Sequence, residues 1–360
     1  MTITIDAGLA DVVVASTELS HVDGEGGRLV LRGYELDELA GRRRFGEVCA
    51  LFWEGSLPES GGRMSRALGE GRAWAWERLE RSALRMPNGM DALRAGLAHL
   101  DEEAPASAVM TGARLAGAVA VIGAAWDRAR RGLEPIAPDP ALDHAADLLR
   151  MMHGEAPDPA RADALDSYLV TVADHGMNAS TFAARVVTST GSDAVSAIVA
   201  AIGALKGPLH GGAPGPVLDM LDAAGGDPER WIRAELVAGR RIMGMGHRVY
   251  RVRDPRAAVL EAAIEKLELA GAAGDRLALA RQVERAAERV LSERYPQRAL
   301  RANVEFYTAV LLEAVGLDRA QFSPTFAAGR VAGWWAHVLE QRATGRLIRP
   351  KSRYVGPRAA

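Results

Sequence analysis

Cysteine is nearly absent: Cys49 is the only one in 360 residues. That excludes an intrachain disulfide and a cysteine zinc cluster, and it fits a reducing compartment such as the cytoplasm. An excess of either charge is also missing, with 44 Lys and Arg against 46 Asp and Glu and a formal net charge of −2. Without a strong positive field, nucleic acid is not an expected partner. Long hydrophobic runs are lacking too. The most apolar window, Ala194 to Leu205, is about 12 residues, short of the roughly 20 that span a bilayer, so no membrane partner is expected. The opening Met1 to Asp6 has no basic region leading into an apolar core, so no signal peptide is expected and the chain reads as cytoplasmic. None of the eight histidines falls in an H-E-x-x-H spacing, and no G-x-S-x-G elbow occurs. Metal hydrolysis and serine-hydrolase chemistry are therefore disfavoured, and no metal is expected.

What is present is an ordinary globular composition, 48% apolar and 25% charged, in a length that suits two or three domains. Alternation marks one strand candidate, Gly27 to Gly33. Nearly everything else has helical spacing: Asp37 to Trp53 with a break near Gly41, Arg63 to Met86, Gly89 to Leu100, Thr111 to Arg131, Ala141 to His153 and Ala160 to Ala173. Ala179 to Thr190 and Asp193 to Leu205 are apolar on most faces, as helices in the centre of a large helical body are. Gly191-Ser192 between them reads as a stop followed by an N-cap. After Gly207 the helices become shorter and more polar: Val217 to Ala224, Pro228 to Ala238, a helix opened by Asp254-Pro255, and the charged Asp275 to Arg294. Ala302 to Val315 follows, and Ser323-Pro324 reads as the cap of a last helix ending near Ala343. The expectation is an all-α fold with a large domain, 1–212 and 316–360, and a smaller inserted helical domain, 213–315.

Two histidines sit among glycines. His210 lies in Lys206-Gly207-Pro208-Leu209-His210-Gly211-Gly212-Ala213, and His247 follows Met243-Gly244-Met245-Gly246. Glycine lets a ligand approach the main chain, and imidazole titrates nearest neutrality, so both look suited to proton transfer. Each also has a plain structural reading, as a loop histidine at a helix end. The Met243 to Gly246 loop could wrap a phosphate or adenine with its amides, although it is no dinucleotide fingerprint. Arg256, in the first turn after Asp254-Pro255, could grip a carboxylate or be a solvated charge. His175 stands at a turn with Asn178. Glu305 opens an apolar helix among Val304, Phe306 and Tyr307, where partial desolvation would raise its pKa and make it a competent base. Arg330 interrupts an apolar helix and calls for a partner. Arg349, beside Pro350, reads alone as a surface charge.

Taken in order, G-P-L-H-G-G-A at Gly207, G-H-R-V-Y at Gly246, D-P-R at Asp254, N-V-E-F at Asn303 and R-P at Arg349 resemble the citrate synthase family. Asp23-Gly24-Glu25-Gly26-Gly27, Arg32-Gly33-Tyr34 and Asn178 to Phe182 are similar to it as well, so the likeness runs from about Val13 to Pro357. The compact length is like that of bacterial dimeric citrate and 2-methylcitrate synthases. The resemblance implies a nearly all-α homodimer closing over oxaloacetate and acetyl-CoA, with no cofactor beyond the coenzyme A thioester substrate. By that resemblance His210 would hydrogen-bond the thioester enol and His247 would protonate the oxaloacetate carbonyl. Glu305 would be the base, in place of the usual aspartate. His175, Arg256 and Arg330 would bind oxaloacetate, and Arg349 would reach the partner subunit's site. Two departures stand out. Glu305 is one carbon longer than aspartate, at most roughly 1.5 Å. Pro214-Gly215 replaces the Asn-Glu common after Gly-Gly-Ala. 2-Methylcitrate synthase, using propionyl-CoA, and a non-catalytic CoA or dicarboxylate-binding relative are the alternatives.

Overall fold

The computed structural model describes residues 8–9, 12–101, 107–211, 214–272, 274 and 276–357. Gly212 and Ala213 of the His210 motif lie outside the described residues. A short hairpin comes first: β1 (Ser20–Asp23), β2 (Arg28–Leu31) and β3 (Tyr34–Glu35) form one antiparallel sheet, with Ser20 opposite Leu31 and Val30 opposite Glu35. The large helical body then uses α1 (Leu36–Leu39), α2 (Phe45–Glu54), α3 (Gly62–Glu77), α4 (Gly89–Ala98) and α5 (Ala108–Arg130). It continues with α6 (His144–His153), α7 (Pro159–Thr171), α8 (Ala179–Ser189) and α9 (Ala194–Leu205). Then come α10 (Pro214–Ala224), α11 (Pro228–Val237), α12 (Pro255–Leu269), α13 (Arg276–Arg294), α14 (Val304–Ala314) and α15 (Phe322–Thr344). The fold is all-α apart from the hairpin.

Local chemistry explains where these helices begin. Asn88, Ser107, Asp158, Asn178, Asp193, Asp227, Asp254 and Asn303 each accept a backbone N–H in the first turn that follows, satisfying donors that have no partner within the helix. Three expectations need correcting. The helix read from Arg63 to Met86 ends at Glu77 and resumes as a 3-10 turn, Arg81–Arg85, because the Glu80 side chain accepts from Ser82 N and starts a new cap. Asp193, not Ser192, caps α9, its carboxylate reaching Ser196 N at 2.7 Å. Ser323-Pro324 lies inside α15, which starts at Phe322; proline is tolerated in a first turn, where its missing N–H has no helical partner.

α5 and α15 are the spine of the core. α5 has a mean hydropathy of 1.6 over its most apolar window, which is long and apolar enough to cross a membrane by composition, and 78% of that window is buried inside the fold. The span long enough to cross a membrane is therefore a core helix, which the reading of Ala194 to Leu205 alone did not consider. α15 packs on α5, α7, α8 and α9 with Trp334 and Trp335 buried, and the indole of Trp335 donates to Ala108 O at 2.9 Å. Its close seat against the end of α7 depends on Gly333, whose N–H donates to Ala173 O at 3.1 Å. A Cβ there would overlap that carbonyl oxygen and come within 2.8 Å of Asp174 Oδ1. Gly333→Ala is thus expected to lower stability by about 1–3 kcal/mol through overpacking, read as a lower denaturation midpoint with unchanged cooperativity.

Candidate active site

The loop bearing His247 is roped to the helix bearing Glu305. Gly246 N donates to Arg301 O at 2.7 Å and Asn303 N to Gly244 O at 2.9 Å, with Met245 bridged antiparallel to Ala302. Asn303 then caps α14, accepting Glu305 N at 3.0 Å, and its amide donates back to Gly246 O at 2.8 Å. Asp254 ties in the third segment. Its Oδ1 accepts from Arg256 N and Nε, both at 3.0 Å, and its Oδ2 from Arg256 Nη2 at 2.7 Å and Val304 N at 3.1 Å. Arg256 is therefore a buried, forked ion pair rather than a solvated helix charge.

The tautomer of His247 follows from its neighbours. Nδ1 accepts the N–H groups of Val249 at 3.0 Å and Tyr250 at 3.1 Å, so the ring proton is on Nε2. Nε2 lies 3.4 Å from Arg256 Nη2, which can only donate. Two donors therefore face each other at this point. His175 completes this group, its ring 5.5 Å from that of His247 and its Nε2 3.1 Å from the Tyr250 hydroxyl.

His210 is anchored from another side. Its Nε2 is 2.8 Å from Ser180 Oγ, which also lies 2.8 Å from Asn178 Oδ1 and accepts the Trp334 indole N–H at 3.1 Å. Arg330, buried in α15, donates through Nε to Val172 O at 2.5 Å and lies 4.7 Å over the Phe326 ring. No carboxylate among the described residues pairs with it, so its other donors remain for an anion.

Burial sets the protonation states. It pushes His210 down to about 4, with Arg330 adding to the shift, and His247 to about 4, with Arg256 adding. His175 is held well below its ordinary value by burial, Arg256 and Arg330. All three imidazoles are neutral N–H donors near pH 7. Glu305 moves the other way, to about 7, because burial outweighs the pull of Arg256. Arg330 falls to about 10 through burial and remains charged at neutral pH.

These interactions join His175, His247, Arg256 and Glu305, and the field of Arg330 links His210 and His175 to them. Arg349 is apart, exposed on the C-terminal tail where Ile348 N donates to Ser189 Oγ at 3.0 Å. The Met243 to Gly246 loop spends its Gly246 amide and Gly244 carbonyl on the 301–303 segment. Sequence reasoning missed Ser180, Tyr250 and Asp254 as site residues. Ser180 and Tyr250 stood inside quoted motifs, and Asp254 was read only as a cap. The hairpin turn also reaches this region: Arg251 N donates to Gly24 O at 2.8 Å, and a Cβ on Gly24 would overlap the Val249 carbonyl.

Comparison with known proteins identifies the family. The family described as citrate synthase, C-terminal domain, matches residues 8–351. The chain belongs to the citrate synthase family. It is 39% identical to a Haloferax volcanii citrate synthase, covering 97% of this chain and 95% of that protein. It is equally 39% identical to a Mycobacterium tuberculosis 2-methylcitrate synthase, over 98% of this chain and 91% of that one. Among solved structures, the Thermotoga maritima citrate synthase superposes with a TM-score of 0.85 at 34% identity, covering 99% of this chain and 97% of the other. The Thermoplasma acidophilum citrate synthase, solved as a ternary complex with carboxymethyl coenzyme A and oxaloacetate, gives 0.87 at 29% identity, covering 100% and 98%. Citrate synthase family membership makes the chain a condensing acyltransferase.

In this citrate synthase family member the raised Glu305 carboxyl has a consequence for stability. Folding favours its protonated form, so that contribution is complete below pH 4.5, the ordinary value, and is lost as pH rises through about 7. Glu305→Gln should accordingly stabilise the ligand-free protein at pH 8, by up to about 3 kcal/mol at roughly 1.4 kcal/mol per pKa unit. At pH 4.5 the two melting curves should coincide; a destabilised variant at pH 8 would contradict the assignment.

Proposed function

We propose that the chain condenses acetyl-CoA with oxaloacetate and hydrolyses the resulting thioester to citrate and CoA. The observation that carries this is the meeting of His247 Nε2–H with Arg256 Nη2 without an intervening acceptor, on segments tied to a carboxylate whose pKa lies near neutrality. In the reaction, the Glu305 carboxylate takes a methyl proton from the acetyl thioester while His210 hydrogen-bonds the developing enol oxygen. The nucleophilic carbon attacks the ketone carbon of oxaloacetate, His247 gives its Nε2 proton to the oxygen that becomes the alcohol, and the proton taken up by Glu305 returns through water to His247. Water then cleaves citryl-CoA. His175, Arg256 and Arg330 hold oxaloacetate, whose two carboxylates suit two forked guanidiniums. A thioester methyl is a far weaker acid than any carboxylic acid, so enol stabilisation matters, and one such fixed donor typically supplies about 3–4 kcal/mol. Because His210 and His247 are neutral, they donate without placing cations beside Glu305.

The coenzyme A thioester is a substrate, and the scheme calls on no cofactor or metal. The Met243 to Gly246 segment is our assignment for coenzyme A contact. A homodimer belongs to the proposal, with Arg349 completing the partner's site. The tail that carries Arg349 leaves Leu347, Tyr354 and Val355 60%, 75% and 81% exposed, apolar surface that a second copy would cover. Closure of the 213–315 segment over the substrates and a cytoplasmic location are likewise proposals.

The equal likeness to a 2-methylcitrate synthase favours one second reading, with propionyl-CoA as the acyl donor. A single methylene in an apolar pocket discriminates by only about 1–3 kcal/mol, so use of both thioesters is expected. Colorimetric detection of CoA thiol should give an oxaloacetate-dependent signal with both, kcat/KM being higher for acetyl-CoA. The limb of kcat/KM governed by Glu305 should rise through about pH 7. Glu305→Gln should lower kcat about 10²–10⁴-fold while oxaloacetate still binds. A reversed acyl preference would make the enzyme a 2-methylcitrate synthase. The absence of any oxaloacetate-dependent thiol release would leave a non-catalytic binding relative.

A further inference from the structure

Behind His175 lies a chain of buried polar groups that the reaction scheme does not use. Asp174 and His337 are both fully buried, and Arg185 is 1% exposed. Arg185 Nη1 reaches His337 Nδ1 at 3.0 Å and Glu340 Oε2 at 2.5 Å. A guanidinium only donates, so His337 Nδ1 accepts and the ring proton is on Nε2, which faces Asp174 Oδ1 at 3.2 Å. Neither His337 Nε2 nor Asp174 Oδ1 makes a hydrogen bond among the described residues, so this ion-pair contact is the one polar contact each has there. The second oxygen of Asp174 holds the turn that bears His175: it accepts Ser20 Oγ at 2.5 Å and Gly176 N at 3.1 Å, and Gly176 N also reaches Ser20 Oγ at 3.0 Å.

Such an arrangement is costly as mere packing. Three ionisable groups removed from water, with a fourth, Glu340, partly exposed, are often no more stabilising than apolar residues of the same shape. What they fix is on either side of Asp174. His175 follows it directly in the chain. Arg330 lies within its field, a buried cation that forms no ion pair with any described carboxylate, and Asp174 is the principal influence that opposes the burial of that guanidinium.

We propose that Asp174, held by His337 and through it by Arg185 and Glu340, is the positioning residue of the oxaloacetate site. It fixes the turn carrying His175 and so orients that imidazole toward the substrate. This rests on the assignment of His175 to oxaloacetate. It extends that assignment to residues that touch no substrate.

The test exploits the single acceptor and single donor that His337 presents. A glutamine offers the same pair through its amide oxygen and nitrogen, whereas leucine offers neither. In the full-length enzyme, His337→Leu should raise KM for oxaloacetate about 10–100-fold, the range typical when an orienting partner of a ligand-binding side chain is lost. KM for acetyl-CoA, measured at saturating oxaloacetate, should stay within about threefold, and His337→Gln should keep the oxaloacetate KM within about threefold of the parent. Asp174→Asn should resemble His337→Leu; if it fails to fold, the His337 pair decides. Thermal melts identify the variants that are folded. A folded His337→Leu variant with the parental oxaloacetate KM would overturn the proposal. So would equal damage by Gln and Leu, or a matching rise in both KM values. Calorimetric titration of oxaloacetate into the parent and His337→Leu reads the same effect without turnover. A parent that binds oxaloacetate but releases no thiol would therefore count against the citrate synthase reaction and not against Asp174.

Discussion

One carboxylate holds the site together. Asp254 caps α12, clamps the Arg256 guanidinium by both oxygens and accepts the first amide of α14. Arg256 and the helix that carries Glu305 are thus set by a single side chain, and His247 joins them through the short antiparallel pairing of Met245 with Ala302. Breaking a buried pair of this kind strands a charge in the interior, at a cost of about 3–5 kcal/mol. The same pair neutralises much of the Arg256 charge while leaving part of its fork beside His247.

The electrostatic pattern follows from where the groups are placed. Each histidine is partly or wholly desolvated and sits near an arginine, two effects that both disfavour a second proton on the ring. The arginines stay charged, because guanidinium loses its proton only under extreme perturbation. With these neutral imidazoles and fixed cations goes a carboxylate poised near pH 7 within the field of Arg256. This suits chemistry in which negative charge forms on a carbonyl oxygen while a weakly acidic C–H is opened. Asn303 anchors the backbone of Glu305 at the start of α14.

Much of the fold was legible. Apolar spacing and cap residues located the helices, and Asp254-Pro255 and the Asn303 segment began helices where their chemistry requires. The strands β1 and β3, four and two residues long, carry too little alternation to be read, and only β2 was. The glycine-flanked histidines and Glu305 could be named because each stood in a distinctive local setting. Partners far apart in sequence could not: Ser180 and His210 are separated by 30 positions, and Asp174 and His337 meet only because α15 seats Gly333 on the end of α7. Arg256 was harder still. Nothing in D-P-R announces that the aspartate two residues earlier will fold back on the arginine and bury it.

The most direct measurement is a crystal structure of the protein with oxaloacetate. The expected result is one ligand oxygen within hydrogen-bond distance of both His247 Nε2 and Arg256 Nη2, with a carboxylate on Arg330. Oxaloacetate bound elsewhere, or His247 turned so that Nε2 accepts from Arg256 with no ligand atom between them, would contradict the site built around Asp254.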